Sequence, residues 1–297
     1  MCRCSIFWPA RPAATSAGCR FRKRAPTTGR RRWPPGTDGG RAPCTHGFCS
    51  GASRARQRTG GAFAEAFERA LPGARVVAQD LPGNGLLHRA VSPVTVRGMV
   101  ERCRAELAER GLRPPFSVLA MSLGAMVATE WARVAPEELA GCVLINTSLR
   151  PFSPFYHRLR PRNYTALLRL AFGIKREEQA EQEVLRLTSN CVLRRQQVVP
   201  DWAEIRRQRP VSAANTLRQL GAAACYRAPE KAPLANMLLL ASREDGLVHG
   251  QCSQAIANAW QVPVEFHPWA GHDLPLDDPR WVIEKVRDWT AADPRSL

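Results

Sequence analysis

The stretch VLAMSLGAMVATEWA, Val118 to Ala132, changes its period at one residue. Up to Met121 it is a continuous apolar run, and from Leu123 onward its apolar residues recur at helical spacing. Between the two stands Ser122, with Ala120 two residues before it and Gly124 two residues after. A strand that turns directly into a helix holds the junction residue in strained backbone and leaves little room for side chains two positions away. Such strain is tolerated where a nucleophile must be lifted clear of a sheet and aimed at a helix N-terminus, whose N–H groups can hold developing negative charge. The plain alternative is a serine that only caps the helix. The position after a buried strand and before a helix favours the nucleophile.

The chain around this junction alternates strand and helix from Gly61 onward. AFAEAFERAL has helical spacing, ARVVAQD is a short apolar strand ending at Asp80, and LPGNG is a turn. An amphipathic helix is expected over Val94–Arg110, a buried strand at FSVLAM and a helix over Leu123–Val134. LAGCVLINTS, ANMLLLAS and VPVEFHP read as further strands, with helices near Ser253–Trp260 and Asp278–Trp289. Continuous apolar strands separated by helices predict an α/β fold: a mostly parallel central sheet covered by helices on both faces. No apolar run approaches the length of a membrane span.

Two regions break the pattern. Residues 150–232 contain no convincing strand and carry 16 Lys+Arg against seven acids; they read as a helical cap inserted into a core of residues 61–149 and 233–297. Residues 1–60 contain no Leu, Val, Glu, Asn or Tyr, yet hold 13 Lys+Arg and a single acid, Asp38. The formal net charge of +17 is therefore mostly a property of this segment, and a nucleic-acid partner is not expected of the core. Its composition is that of a basic disordered tail. A shifted reading frame accounts for it better. Over His46–Gly61 the alternative frame turns Phe48–Cys49 into leucine and yields a strand followed by an Arg-Gly-Leu loop, with the switch at Gly60–Gly61.

A serine hydroxyl needs a base to take its proton, and the base needs an acid to orient it. LLLASREDGLV puts Asp245 at a strand end, and WAGHDLPLDDP puts His272 in a later strand-end loop. Glu244, beside Asp245, is the competing acid, and His249 and His267 are the competing bases. Asp80 is read as fixing the turn that follows it, and Asp273 as shaping the histidine loop. The ten cysteines show no metal-ligand spacing outside Cys2 and Cys4. They are read as free thiols of a reducing, cytoplasmic compartment.

These motifs together resemble the α/β-hydrolase superfamily from about Gly61 to the C-terminus. DLPGNG is similar to its turn after an early strand, AMSLG to its nucleophile elbow, DGLV to its acid loop and AGHDLP to its histidine loop. The resemblance implies a serine hydrolase with Ser122, Asp245 and His272 as a catalytic triad, a carboxylic ester as small-molecule substrate and no cofactor or metal. The x-Leu-Val stretch after the family's acid selects Asp245 over Glu244. The serine nucleophile points away from the dehalogenase and epoxide-hydrolase branches, which use an aspartate. The resemblance also implies two oxyanion donors, the Leu123 N–H and a loop N–H for which His46-Gly47-Phe48 offers Phe48. A non-catalytic binding protein on the same fold is the alternative. Arg150, Arg158, Arg160 and Arg162 follow the CVLINTS strand and form an expected basic rim, suited to an anionic or carrier-bound substrate.

Overall fold

A computed structural model describes residues 5–9, 62–71, 74–172, 174 and 176–292. Six strands form one sheet in the order β2-β1-β3-β4-β5-β6. They are β1 (Ser5–Pro9), β2 (Val77–Gln79), β3 (Phe116–Met121), β4 (Leu139–Ile145), β5 (Met237–Ser242) and β6 (Val264–His267). β3 to β6 are parallel neighbours, whereas β1 runs antiparallel to both β2 and β3. The sequence reading put no strand in residues 1–60. The backbone of Ser5–Pro9 is nonetheless paired on both sides, and its Ile-Phe-Trp run has the residue types that favour a pleated strand. The supposed frame switch and Phe48 lie outside the described residues.

Helices follow the strands as the periodicity indicates. α1 (Ala62–Ala70) precedes β2, α2 (Val96–Glu109) precedes β3, and α3 (Leu123–Val134) links β3 to β4. Thr95 opens α2 by accepting the Gly98 N–H on its side-chain oxygen. Between β4 and β5 lie α4 (Phe155–Arg158), α5 (Tyr164–Phe172), α6 (Glu177–Thr188), α7 (Val192–Gln208) and α8 (Ala213–Cys225). α9 (Gln251–Trp260) follows β5, and α10 (Leu274–Asp277) and α11 (Pro279–Ala292) close the described chain. None of the helices in the described residues is long and apolar enough to cross a membrane.

β3, β4 and β5 are buried along both faces, and alternate residues feed two cores. Val118 and Ala120 of β3, Cys142 and Leu144 of β4, and Leu239 of β5 point to the side covered by α2, α3 and α9. Leu119, Met121, Val143, Ile145, Leu238 and Leu240 point to the side covered by α1 and α11. This double covering explains why the central strands read as unbroken apolar runs. β6 lies at the sheet edge and is only partly buried.

Trp131 of α3 is the largest fully buried side chain among the described residues. Its ring meets Phe116 edge-on at 6.0 Å between centroids, and its indole N–H donates to Glu138 at 2.7 Å. Glu138 is also gripped by Arg104 from α2. Trp131→Ala should therefore open a cavity and remove a donor at once. Urea unfolding should show a loss of about 3–5 kcal/mol, with far-UV dichroism of the native state retained.

Candidate active site

The parallel register brings three loops to one edge of the sheet. Met121 pairs with Ile145, and Ile145 with Leu240, so the residues that follow β3, β4 and β5 emerge side by side. Ser122 follows β3 with φ 54° and ψ −118°. A residue with a side chain rarely adopts this conformation. Its N–H donates to the Ile145 carbonyl at 3.0 Å, which ties the turn to the neighbouring strand. Ala120 before it is 1% exposed. Leu123 is the first residue of α3, so its N–H has no acceptor within the helix.

Asp245 and His272 meet although 27 residues separate them. The His272 Nδ1 lies 2.7 Å from Asp245 Oδ2. The other carboxylate oxygen accepts the Leu247 and Val248 N–H groups at 2.7 and 3.0 Å, which fixes the plane of the acid. Both side chains are almost wholly buried. Burial works to lower the His272 pKa; the Asp245 carboxylate, by charge and by hydrogen bond, and the Asp273 charge outweigh it. The net shift is upward from the ordinary 6.5. Ser122, Leu123 and His272 line one cavity of about 350 Å³, walled mainly by apolar side chains.

The competing residues stand elsewhere. Glu244 is exposed. His267 is buried, accepts the Ala270 N–H on Nδ1 and faces Asp278 through Nε2, wedged between Trp269 and Trp281. It braces the start of the histidine loop. His249 stacks on His157 outside the cavity lining. Asp80 accepts the Leu86 N–H within its own turn, where Gly85 at φ 50° leaves no space for a Cβ beside the carboxylate. The Asp273 N–H donates to Thr188, which shapes the histidine loop against α6. Of the four rim arginines only Arg158 lines the cavity. Arg150 is exposed, and Arg160 and Arg162 bond to the Leu247 and Gly246 carbonyls of the acid loop. Among the described residues no group of three or more His, Cys, Asp or Glu could hold a metal, and the five described cysteines are free thiols.

Two positioning residues went unread in the sequence. Asn146, just after β4, has φ 43°. Its amide donates to Ser242 Oγ and to the carbonyls of Gly271 and His272, and its oxygen accepts the Ser242 N–H at 2.8 Å. It thereby sews the end of β5 to the histidine loop. Asp277 accepts the Ser189 hydroxyl and the N–H groups of Asn190, Cys191 and Gly271. It fastens the α6–α7 junction to the histidine loop. Gly271 itself packs so close that a Cβ would lie 2.7 Å from the Thr188 carbonyl. The sole local signals were a polar residue ending an apolar strand and an acid five residues after the histidine.

Comparison with known proteins bears on the family and the fold. The sequence model described as the Alpha/beta hydrolase family matches residues 44–285. The chain belongs to that family. Among solved structures, BpoC from Mycobacterium tuberculosis H37Rv, which carries the name of a non-heme bromoperoxidase, superposes with a TM-score of 0.58 at 22% identity, over 74% of this chain and 81% of that one. A thermophilic esterase from Thermogutta terrifontis gives a TM-score of 0.58 at 20% identity, over 77% and 85% of the two chains. A hydrolase from Pseudomonas aeruginosa PA01 gives 0.56 at 17%, over 76% and 84%. At these identities the likeness is one of fold. A search of curated proteins returns no match.

Two outcomes test this geometry directly. Removing the Asp277 carboxylate leaves a hydroxyl and three N–H groups without their acceptor. Asp277→Ala should cost about 3–5 kcal/mol in urea unfolding, since each orphaned donor costs about 1–3 kcal/mol before water re-solvates some of them. Limited proteolysis should then cut first near residues 188–191. The second outcome concerns His272. Its imidazole resonances should titrate above 6.5 in the wild type, and below 6.5 in Asp245→Asn, where only the lesser Asp273 charge is left to oppose burial.

Proposed function

We propose that this hydrolase cleaves carboxylic esters through an acyl-enzyme on Ser122. The observation that carries the reading is the oriented Asp245–His272 pair, at 2.7 Å, opening onto the same apolar cavity as a serine held at φ 54°. A buried carboxylate on Nδ1 leaves Nε2 as the imidazole's free basic nitrogen. In the proposed sequence Ser122 Oγ attacks the ester carbonyl while His272 Nε2 takes the hydroxyl proton. Asp245 holds the tautomer and stabilises the imidazolium. The Leu123 N–H donates to the carbonyl oxygen as it gains charge. His272 passes its proton to the leaving alcohol, then takes a proton from water, which attacks the acyl carbon; His272 returns that proton to Ser122 Oγ as the acid is released. The apolar lining strengthens each of these interactions by lowering the local dielectric. The Thermogutta neighbour named as an esterase is consistent with this substrate class. The α4–α8 insert supplies Phe155, Tyr164, Leu167 and Leu220 to the cavity wall and is proposed as the cap.

A fluorophosphonate probe should label the wild-type chain at Ser122, and Ser122→Ala should abolish the label. Against chromogenic esters of increasing acyl length, Ser122→Ala and His272→Ala should each lower kcat by about 10⁴-fold or more. The double variant should lose no more than either single one, because the pair acts as a unit. Retention of more than a few per cent of turnover in Ser122→Ala would sink the mechanism. A chain that stays folded yet neither labels nor turns over would be a binding protein on a hydrolase fold.

A further inference from the structure

The cavity shared by Ser122 and His272 has one permanent charge in its wall. That charge is Arg158, at the end of α4, and no Asp or Glu lines the cavity with it. Its guanidinium donates to the Ala223 carbonyl at 2.6 Å and, weakly, to the Ala224 carbonyl at 3.4 Å, both in the last turn of α8. Its Nε is buried and has no hydrogen-bond partner. Neither an Asp nor a Glu pairs with it among the described residues. Arg104, Arg133, Arg186 and Arg206 each sit on a glutamate instead.

This is an expensive place for a cation. Burial and the nearby positive charge of Arg150 both push the Arg158 pKa down, which means that the fold disfavours the charge it nevertheless keeps. A role as a helix C-terminal cap accounts for the two carbonyl contacts. It does not account for this arginine standing in the wall of the apolar cavity that Ser122 also lines, with no acid beside it and a buried Nε left unpartnered. An arginine has five N–H donors in a planar fork, and that fork matches a carboxylate. The missing partner is an anion, and the cavity is where it would enter.

Building on the ester-hydrolase reading above, we propose that Arg158 is a specificity-determining residue that binds a carboxylate at the end of the acyl chain away from the scissile ester. The substrate class is thus half-esters of short dicarboxylic acids. The acyl methylenes lie against walls such as Met126, Leu159 and Leu247, and the carboxylate replaces water on the guanidinium. Neither the reaction nor its proton balance changes. The anion is held, not transformed.

The test uses the 4-nitrophenyl half-esters of succinate, glutarate and adipate, each against its own methyl-capped diester, so that one charge is the difference. The release of nitrophenolate is followed. For at least one chain length the wild type should show a kcat/KM ratio of tenfold or more in favour of the anionic ester. In Arg158→Gln that ratio should fall to about one, and Arg158→Lys should keep an intermediate value, since it retains the charge without the fork. A purely capping role would change both esters alike and leave the ratio untouched. A wild-type ratio of one at every length, or an unchanged ratio in Arg158→Gln, overturns the proposal while leaving the esterase reading in place. A binding arm does not depend on turnover or on the variant's fold. Free glutarate or adipate should raise the wild-type melting temperature, and the matching neutral diamide should not. If no ester is turned over and Ser122 does not label, the esterase reading fails, and this arm still decides whether the cavity takes a dicarboxylate. No shift with either acid then overturns the anion site as well.

Discussion

The backbone of Ser122 is the constraint on which the rest depends. A non-glycine residue at φ 54° and ψ −118° costs of the order of 1–3 kcal/mol and persists only where its surroundings over-determine it. Here they do. β3 before it is buried at every position, α3 after it is buried from Leu123 to Ala132, and the Ser122 N–H is fixed to β4. The large apolar area of these two elements outweighs one strained residue many times over. The small residues on either side follow from the same demand. The neighbouring strand ends in the same way, with Asn146 at φ 43°. Two adjacent parallel strands thus terminate in left-handed residues, and both turns open on the edge where the acid and the histidine arrive.

A second requirement is that the edge be stiff. The loops carrying Asp245 and His272 are not held by sheet hydrogen bonds, so side-chain networks supply the rigidity. Asn146 joins β4, β5 and the histidine loop with four hydrogen bonds, all internal. Asp277 joins the insert to that same loop, and Asn190 reaches from the α6–α7 junction to the Glu244 and Trp269 carbonyls. On its other side the insert is tied down through α8. There Asn215 bonds Ser92 and Ala90, and Gln219 bonds the Pro82 carbonyl. The insert is therefore pinned to three loops of the core, and its position over the cavity is set by polar contacts of high geometric specificity.

The legible part of the fold was the part governed by short-range periodicity. The expected strand FSVLAM and the expected helix Leu123–Val134 coincide with β3 and α3, because burial on both faces leaves an unmistakable apolar run. Asp245 and His272 are singled out by strand-end position and family motif, and the fold brings the two side chains into contact. Asn146 and Asp277 were invisible for a physical reason. Their partners lie 126 and 88 residues away at the longest reach, and a lone Asn or Asp after an apolar element has no periodic signature. Ser5–Pro9 was missed because a five-residue strand cannot outweigh a composition that otherwise lacks Leu and Val. The rim of four arginines was a statement about adjacency in sequence. In three dimensions only Arg158 of the four lines the cavity, while Arg150 is exposed and Arg162 bonds the acid loop, so the row is dispersed.

That dispersal bears on how charge acts in this protein. The insert is strongly basic, yet much of that charge is spent locally. Arg186 and Arg206 are paired with glutamates of the insert, and so is Arg207 with Glu204; Arg162 bonds a backbone carbonyl of the acid loop. The exposed pairs among them, Arg186–Glu183 and Arg207–Glu204, contribute little energy and are screened by salt. Net charge is thus a poor guide to the field inside the cavity. What counts is a cation whose neighbours are apolar, because its field is damped less there than at the open surface. Arg158 meets that condition in the wall of the cavity that Ser122 and His272 also line. On the specificity role proposed for it, one half-buried guanidinium there bears more on which molecule enters than the surplus of arginines elsewhere in the insert.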